Sequence, residues 1–586
     1  MASKNIAFDQ IPNSIRKPGK YFEFNTKLAV RTLPANKQRM LIVAPRLITG
    51  TIPALTPTQV FSDTEAALYF GEGSVAHLMV RAAIKANAYL DLSVCAPDDP
   101  ASAPVARVHT LVIAGPATGA GAFTQSLDDV DYVIDVANED TAAEIAIALK
   151  AALDDDPQLL FTVELDTATL VFTAKTPGVA ANAIVFDETI TATGVTGTPT
   201  ETTAGADSAP NSVARVHTLA FTGPATGSAS LTLYIGNTRI QMAVSSGDTA
   251  VEIAAALVAL LANYPDLPFT AAQGTEGNTH KVIFTAQNGG TIANQIDFAI
   301  EITAPGITGT FTATTAGSVN PDIAGALAAV FGESYNIIAS PFTDAGSLAD
   351  LKDHLDNISA PLEQRPCIGV FADDNSLGIV TSLAIAVNSG RVLCAYLRGT
   401  RSPAYEIAAA MAAVMAYEED PARPLNLLAL PGIAAPPIAS RFSRTEQETL
   451  LYNGVTPLEV GPGEVVQIVR AISTYIHDPQ GIDDIALLDI TTIRTLDYVR
   501  EAVRARIALR FPREKLSTRT PAAVRDQIID VLEQLEDLEI VEAVDNNADG
   551  VICERDSQDP NRLNAKIPCD VVNGLHVFAG RIDLLL

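Results

Sequence analysis

The side chains that could do chemistry lie in a few short stretches. Asp545-Asn-Asn547-Ala-Asp549-Gly550, followed by Asp556, places oxygens at positions 1, 3 and 5, glycine at 6, Ile552 at 8 and an acid at 12 of a calcium loop. Asp545, Asn547, Asp549 and Asp556 are the candidate ligands. The surroundings argue for a plain turn instead: a helix is predicted to enter over 521–536, but strand-like sequence with a proline follows Cys553–Asn564, and Asp at position 12 is shorter than the usual Glu. Asp373 and Asp374 close a predicted strand, where a metal could sit, yet no nucleophile or lysine is spaced to join them. Capping of the next helix by Asp374 or Ser376 is the expectation. Phe70-Gly71-x-Gly73-Ser74 is glycine-rich but has no lysine and lies between two predicted helices, unlike a phosphate loop. His109 and His217 fall on alternating strands without a second ligand at fixed spacing, which reads as core or edge. Neither G-x-S-x-G nor H-E-x-x-H occurs. No catalytic centre, metal or cofactor is expected.

Composition narrows the classes further. A chain of 586 residues exceeds what one core usually supports, so several domains are expected. With 48% hydrophobic and 18% charged residues it reads as folded, not disordered. A net charge of −29 repels nucleic acid and anionic membrane, so neither is expected as a partner. Five scattered cysteines, odd in number and without C-x-x-C spacing, suggest buried thiols from a reducing compartment. The first twenty residues contain no apolar secretory core, and apolar runs such as 254–262 are too short to span a bilayer. Synthesis and folding in cytoplasm, without membrane insertion, are the expectation.

The elements that must position these residues read as follows. Residues 1–30 are polar, carry Pro12 and Pro18-Gly19, and suit an extended arm. A β-α-β rhythm over 39–96 predicts strands at Arg39–Ala44 and Tyr89–Cys95 around helices at Ser62–Phe70 and Ser74–Asn87. Between about 98 and 317 an internal repeat appears: Arg107-Val-His109-Thr-Leu returns at Arg215, Gly115-Pro-Ala-Thr-Gly at Gly223, and Asp140-Thr-Ala-x-Glu-Ile-Ala at Asp248, all offset by 108. After Phe161 and Phe269 the offset grows to 112, which puts four extra residues in a loop near Gln273–Asn278. Thr141 with Glu144, and Thr249 with Glu252, have capping-box spacing. Each copy is expected to be a β-rich α+β module with one helix and two closing strands. Residues 101–317 hold 22 acidic against 6 basic side chains, consistent with a solvated outer surface. A glycan-binding or adhesin role for these modules is the alternative function, although tryptophan is absent from the chain.

From Asn320 the βα alternation resumes through Pro403–Tyr417, implying a mostly parallel sheet covered by helices. Gly463–Leu516 reads as a strand over Val465–Ile472, a polar crossing, and a long helix carrying Leu488, Ile493, Leu496, Val499, Val503 and Ile507. The last stretch, Gly574–Leu586, alternates like a strand with nothing after it. Its roughly twelve residues could reach about 40 Å, far enough to pair with a neighbour's sheet edge, and closing its own sheet is an equally good reading of the residues.

Arg470-Ala-Ile-Ser-Thr474-Tyr475, Asp484, Leu488-Asp489-Ile490, Tyr498-Val-Arg500, Pro512-Arg513-x-Lys515-Leu516 and Asp559-Pro-Asn-Arg562-Leu-Asn564 resemble the C-terminal core of contractile phage tail sheath proteins, the Mu-like branch in particular. The opening IPNSIRKPGKYF and Phe70-Gly-x-Gly-Ser are similar to that family too. The resemblance covers 1–97 and 320–586 and leaves 98–317 unassigned. Together with the repeat, it gives the expectation of an α/β and α+β multidomain fold: a sheath-type α/β core and extended terminal arms from the resemblance, with two tandem β-rich inserted modules from the repeat. The implied division is an arm at 1–30, core at 31–97, modules at 98–208 and 209–317, an α/β domain at 318–440, a C-terminal core at 441–574 and an arm at 575–586. Subunit contacts are then expected from Ile11, Pro12, Ile15, Arg16, Pro18, Gly19 and Tyr21, and from Leu575, Val577, Phe578 and Ile582. The implied partners are further copies in a helical sheath, the tail tube protein, and baseplate and tail terminator proteins. The implied location is a virion tail, where contraction drives the tube through the host envelope.

Overall fold

The computed structural model describes residues 17–20, 33–101, 105–128, 130–206 and 211–584. The chain opens with β1 (Arg39–Ile42), β2 (Thr58–Gln59), α1 (Asp63–Phe70), α2 (Val75–Ala86) and β3 (Asp91–Val94). It then leaves the body for two modules. The first contains β4 (Val108–Ala114), β5 (Gly121–Leu127), β6 (Val130–Val136), α3 (Ala142–Asp154), β7 (Phe161–Asp166), β8 (Thr169–Ala174), β9 (Phe186–Ile190) and β10 (Thr196–Thr203). The second repeats it with β11 (Val216–Thr222), β12 (Ala229–Ile235), β13 (Thr238–Val244), α4 (Ala250–Leu261), β14 (Phe269–Gln273), β15 (Lys281–Ala286), β16 (Phe298–Ile302) and β17 (Thr308–Thr315).

On return to the body the order is α5 (Ala324–Ala329), β18 (Ile337–Ala339), α6 (Ala345–Ser359), β19 (Ile368–Asp373), α7 (Leu377–Val387), β20 (Val392–Tyr396) and α8 (Ala404–Tyr417). The C-terminal part adds α9 (Arg444–Tyr452), β21 (Thr456–Val460), β22 (Val466–Ile468), α10 (Ile490–Arg510), α11 (Thr520–Asp537), β23 (Val541–Glu542), α12 (Val544–Asn547), β24 (Ile552–Arg555), β25 (Leu563–Lys566) and β26 (Asp570–Val571).

One eight-stranded sheet, in the order β2-β3-β1-β18-β19-β20-β21-β22, closes across the insertion. Met40 pairs with Ile337 in parallel, so strands nearly 300 residues apart in sequence are neighbours in the sheet. The central strands are apolar and buried on both faces, as a parallel sheet covered by helices requires. Helix α8 is the main cover: every residue from Ala404 to Ala416 except Glu406 is buried, and its small side chains let it lie against α2 and the sheet.

The modules share one topology. Sheets β10-β4-β8-β7 and β6-β5-β9 in the first match β17-β11-β15-β14 and β13-β12-β16 in the second. Both capping boxes form, with the Thr141 and Thr249 amides donating to Glu144 and Glu252 at 2.9 Å. The longer loop of the second copy joins β14 to β15. Four strands follow each helix, where the sequence suggests two; the last strand of each copy is Thr- and Gly-rich (TGTPTETT, TGTFTATT) and carries little apolar alternation. The copies differ in their surroundings. Leu111, Phe123, Leu149, Phe172 and their neighbours make a separate core in the first. Their counterparts Leu219, Leu231, Leu257 and Phe284 belong to the same continuous core as the α/β body.

Two expected strands differ from the structure. The strand over Val465–Ile472 is only β22; beyond it, Thr474 gives its amide to Val392 O (2.8 Å) and its hydroxyl accepts from Ser389 N (3.0 Å), which ties the chain to the β20 approach instead of a ladder. Gly454, at φ 72°, is required there, because a Cβ would lie 2.9 Å from Thr474 O. Residues 574–584 form no strand, since within one chain they meet no sheet edge with which to pair.

Candidate assembly surface

Helix α10 is fixed to the body by arginines whose partners are in the same chain. Arg470 makes a two-pronged pair with Asp489, which occupies the cap position of α10 without a side-chain bond to the helix, at 2.8 and 2.7 Å. Arg391 makes another with Asp497 at 2.8 and 3.0 Å, and Arg500 joins the same carboxylate at 3.0 Å while donating to Ser359 O. Arg506, 4% exposed, pairs with Asp530 of α11. Arg494 is buried and donates to Glu418 O at 2.5 Å; burial lowers its guanidinium to about 10. Removing one partner of such a pair would leave an uncompensated buried charge, so α10 is held as a rigid platform. Arg513 is exposed and has no ion pair among the described residues.

Both chain ends attach beside this helix. Leu33 packs into the core formed by α10 and α11, and the Tyr498 hydroxyl donates to Pro34 O at 2.9 Å. At the other end His576 is 2.9 Å from Asn426 Nδ2, with Nε2 3.5 Å from Asp489 Oδ1. Burial, with Arg470 nearby, lowers the imidazole pKa and keeps it neutral. On either side of His576 the side chains face solvent: Leu575, Val577, Phe578 and Ile582 are 79, 79, 86 and 99% exposed. Of the N-terminal contact residues, Pro18 and Gly19 are exposed without regular structure. Ile11, Pro12, Ile15, Arg16 and Tyr21 lie outside the described residues. An apolar groove of about 590 Å³ runs along α10 between Leu496, Val499, Val503, Ile507 and Ile567. Residue spacing suggests the apolar face of α10; the contacts of Pro34 and His576 beside it rest on Tyr498, Asp489 and a backbone carbonyl that carry no sequence signal.

The residues considered for chemistry have structural work instead. Asp373 Oδ1 accepts from both the amide and the side chain of Asn375 at 2.7 Å, closing its own turn. That local closure replaces the expected cap: Ser376 occupies the cap position of α7 without a side-chain bond, and Asp374 caps nothing. Burial, then the Asp373 charge, raises Asp374 to about 6. Gly71 and Gly73 have φ of 89° and 80°, and the Gly73 amide donates to His77 Nδ1 at 3.1 Å. A Cβ on Gly73 would lie 2.4 Å from Leu267 O, so this loop is shaped for contact with the second module. His109 and His217 stack on Phe186 and Phe298 at 3.9 and 4.6 Å between centroids, buried in the module cores. The calcium candidates do not make a loop. Asp545 and Asn547 lie in α12, Asp549 in a following 3-10 turn, and Asp556 accepts from the amides of Gln558 and Asp559 at 2.8 and 3.0 Å. A strand, β24, follows where an exiting helix would be required. Among the described residues no three His, Cys, Asp or Glu side chains are grouped to hold a metal.

Comparison with known proteins identifies the family. The phage tail sheath central domain matches residues 316–474, and the phage tail sheath C-terminal domain matches 483–584. The Mu-like prophage FluMu tail sheath protein of Haemophilus influenzae is 33% identical over 398 residues, covering 65% of this chain and 81% of the relative. Sheath tail proteins of Desulfitobacterium hafniense and Listeria innocua, each 12% identical, align with TM-scores of 0.44 and 0.42 over 95 and 93% of this chain and 97 and 94% of theirs. The chain belongs to the phage tail sheath family. It is a structural subunit of a contractile tail, with the virion tail as its location.

Proposed function

We propose that the two arms carry assembly: each leaves the α10 platform and adds its extended segment to the sheet edges of adjacent copies, so that subunits polymerise as stacked rings around the tail tube. The observation that carries this is the common attachment of both arms at α10, with Leu575, Val577, Phe578 and Ile582 held out to solvent on one of them. A monomer gains nothing from exposing four large apolar side chains within eight residues, whereas strand addition buries them and satisfies their backbone groups. Residues 1–30 and 575–586 act as arms, 31–97 and 318–574 as the body, and 98–208 and 209–317 as modules inserted on its outside. Ile11, Pro12, Ile15, Arg16, Pro18, Gly19 and Tyr21 make the contacts of the first arm.

The polymer meets the tube protein inside and baseplate and terminator proteins at its ends. Tethered subunits can rotate and repack without separating, so the energy that drives contraction and pushes the tube through the host envelope is stored in subunit interfaces. The role is structural, without catalysis or cofactor, and the chain is made in the host cytoplasm. It inserts into no membrane; no described helix is long and apolar enough to cross one. Deletion of 1–20 or of 576–586 is expected to leave a folded monomer that forms no tubes in electron micrographs. Normal tubes from both deletions would contradict the proposal.

A further inference from the structure

The second module meets the body through the end that carries its β12–β13 hairpin. Gly236, Thr238, Pro268 and Ile296 meet Leu78, Tyr405 and Pro431 of the body around a cavity of about 210 Å³. Around that patch Asp266 pairs with Arg81 at 2.7 Å, and Asn288 donates to Arg46 O and accepts from Val75 N, both at 3.0 Å. Gln295 donates to Pro341 O at 3.1 Å, and Arg401 lies over Tyr234 at 3.6 Å. This end of the module is a docking face.

The first module keeps the same framework at that face. Lys175 N donates to Leu160 O at 2.9 Å as Gln287 N does to Pro268 O, and Asp128 N donates to Val185 O at 2.9 Å as Gly236 N does to Asp297 O. The polar docking residues are absent: Asp266, Asn288, Gln295 and Tyr234 correspond to Gln158, Thr176, Ala183 and Ser126. Beside these small or uncharged replacements the face exposes three apolar side chains. Val130, Leu160 and Val185, which stand where the second module has Thr238, Pro268 and Asp297, are 51, 62 and 62% exposed.

We propose that this face of the first module docks onto a second copy of this chain, as an assembly contact additional to the arms. The proposal rests on the sheath reading, in which each subunit sits among copies of itself. Charge restricts what else could cover the face: residues 105–206 hold 15 acidic and 3 basic side chains, against 6 and 3 in 213–318. That excess repels nucleic acid, anionic lipid and a second copy of the same module. The contact is therefore heterologous, first module against body or second module of a neighbour, which is the interface type that propagates rings and helices.

The test uses the full-length chain with a photo-crosslinking benzoylphenylalanine at Leu160, and at Ile147 of α3 as a control that is exposed at 57% outside this face. Irradiated polymer is expected to give intermolecular adducts from position 160 to peptides outside 105–206, and none above background from 147. The double variant Leu160→Glu/Val185→Asp is expected to melt like the parent and to raise the concentration for half-maximal polymer about tenfold, a shift of about 1.4 kcal/mol. Polymer without adducts at 160, adducts joining two first modules, adducts to another protein, or an unchanged polymerisation midpoint would overturn the docking face and leave the sheath reading standing. A full-length chain that forms no polymer under any condition would remove the sheath reading and this inference with it.

Discussion

The two modules share a strand order, a capping box and a stacked histidine, yet one is part of the body's core and the other has a core of its own. The difference lies in a few positions on one face. Asp266, Asn288 and Gln295 in the second copy reach backbone and charge on the body, and Gly73 leaves room for Leu267. The lesson is that a duplicated fold can be fused to its host by edge residues alone, while the buried interior hardly changes. The uneven charge follows: the fused copy can be nearly neutral, and the outlying one carries most of the acid.

That contrast can be broken most severely in the cores. Phe284→Ala and Phe172→Ala remove equivalent buried rings, each at a cost of about 3–5 kcal/mol. By scanning calorimetry, Phe284→Ala is expected to lower the main transition of the body, whereas Phe172→Ala lowers only a separate transition of the first module. One transition moved equally by both would deny the distinction. At the joint, Asn288→Ala leaves the Val75 amide and Arg46 carbonyl unpaired and is expected to cost about 1–3 kcal/mol in denaturant titrations. Its counterpart Thr176→Ala is expected to be silent, being exposed. The capping boxes should behave alike: Thr141→Ala and Thr249→Ala each cost about 1 kcal/mol, read in the transition of its own unit.

The smallest effect is a pH dependence at the joint. Asp374, at the end of β19, is raised to about 6 by burial and Asp373, and Asp297 of the second module adds to the rise. A carboxyl whose folded pKa lies above its unfolded value binds its proton more tightly when folded, so its contribution to stability declines as pH rises from about 4 to about 6 and stays low above that. Asp374→Asn should therefore stabilise the protein at pH 7 and lose that advantage near pH 4. An equal gain at both pH values would assign the effect to something other than this carboxyl.

Much of this was readable in the residues. The parallel strands of the body are short apolar runs between helices with clear caps, and the repeat is written in matching Arg-Val-His and Asp-Thr-Ala segments. The closing strands of each module were weaker, because Thr and Gly fill positions that depend on cross-strand pairing for their order. The crossing after β22 was misread as strand since Ile472 and its neighbours are apolar, while the deciding bonds go from Thr474 to Ser389 and Val392 far away in sequence. The terminal segment forms no strand here for a different reason: alternation at Leu575 and Val577 suits pairing with another sheet edge, and one chain alone offers none. At the candidate surface, Arg470 and Arg500 stand in the motifs that carry the resemblance, but Asp489 and Asp497 as their partners depend on how the crossing folds.

The central claim, that both arms leave α10 to bind neighbouring copies, is tested most directly by a cryo-electron microscopy map of polymer from the full-length chain. The account predicts continuous density from Gly574 through Leu584 passing onto the C-terminal part of an adjacent subunit as an added strand. Density for the same residues folded against their own body, in a polymer whose subunits touch only through other faces, would contradict it.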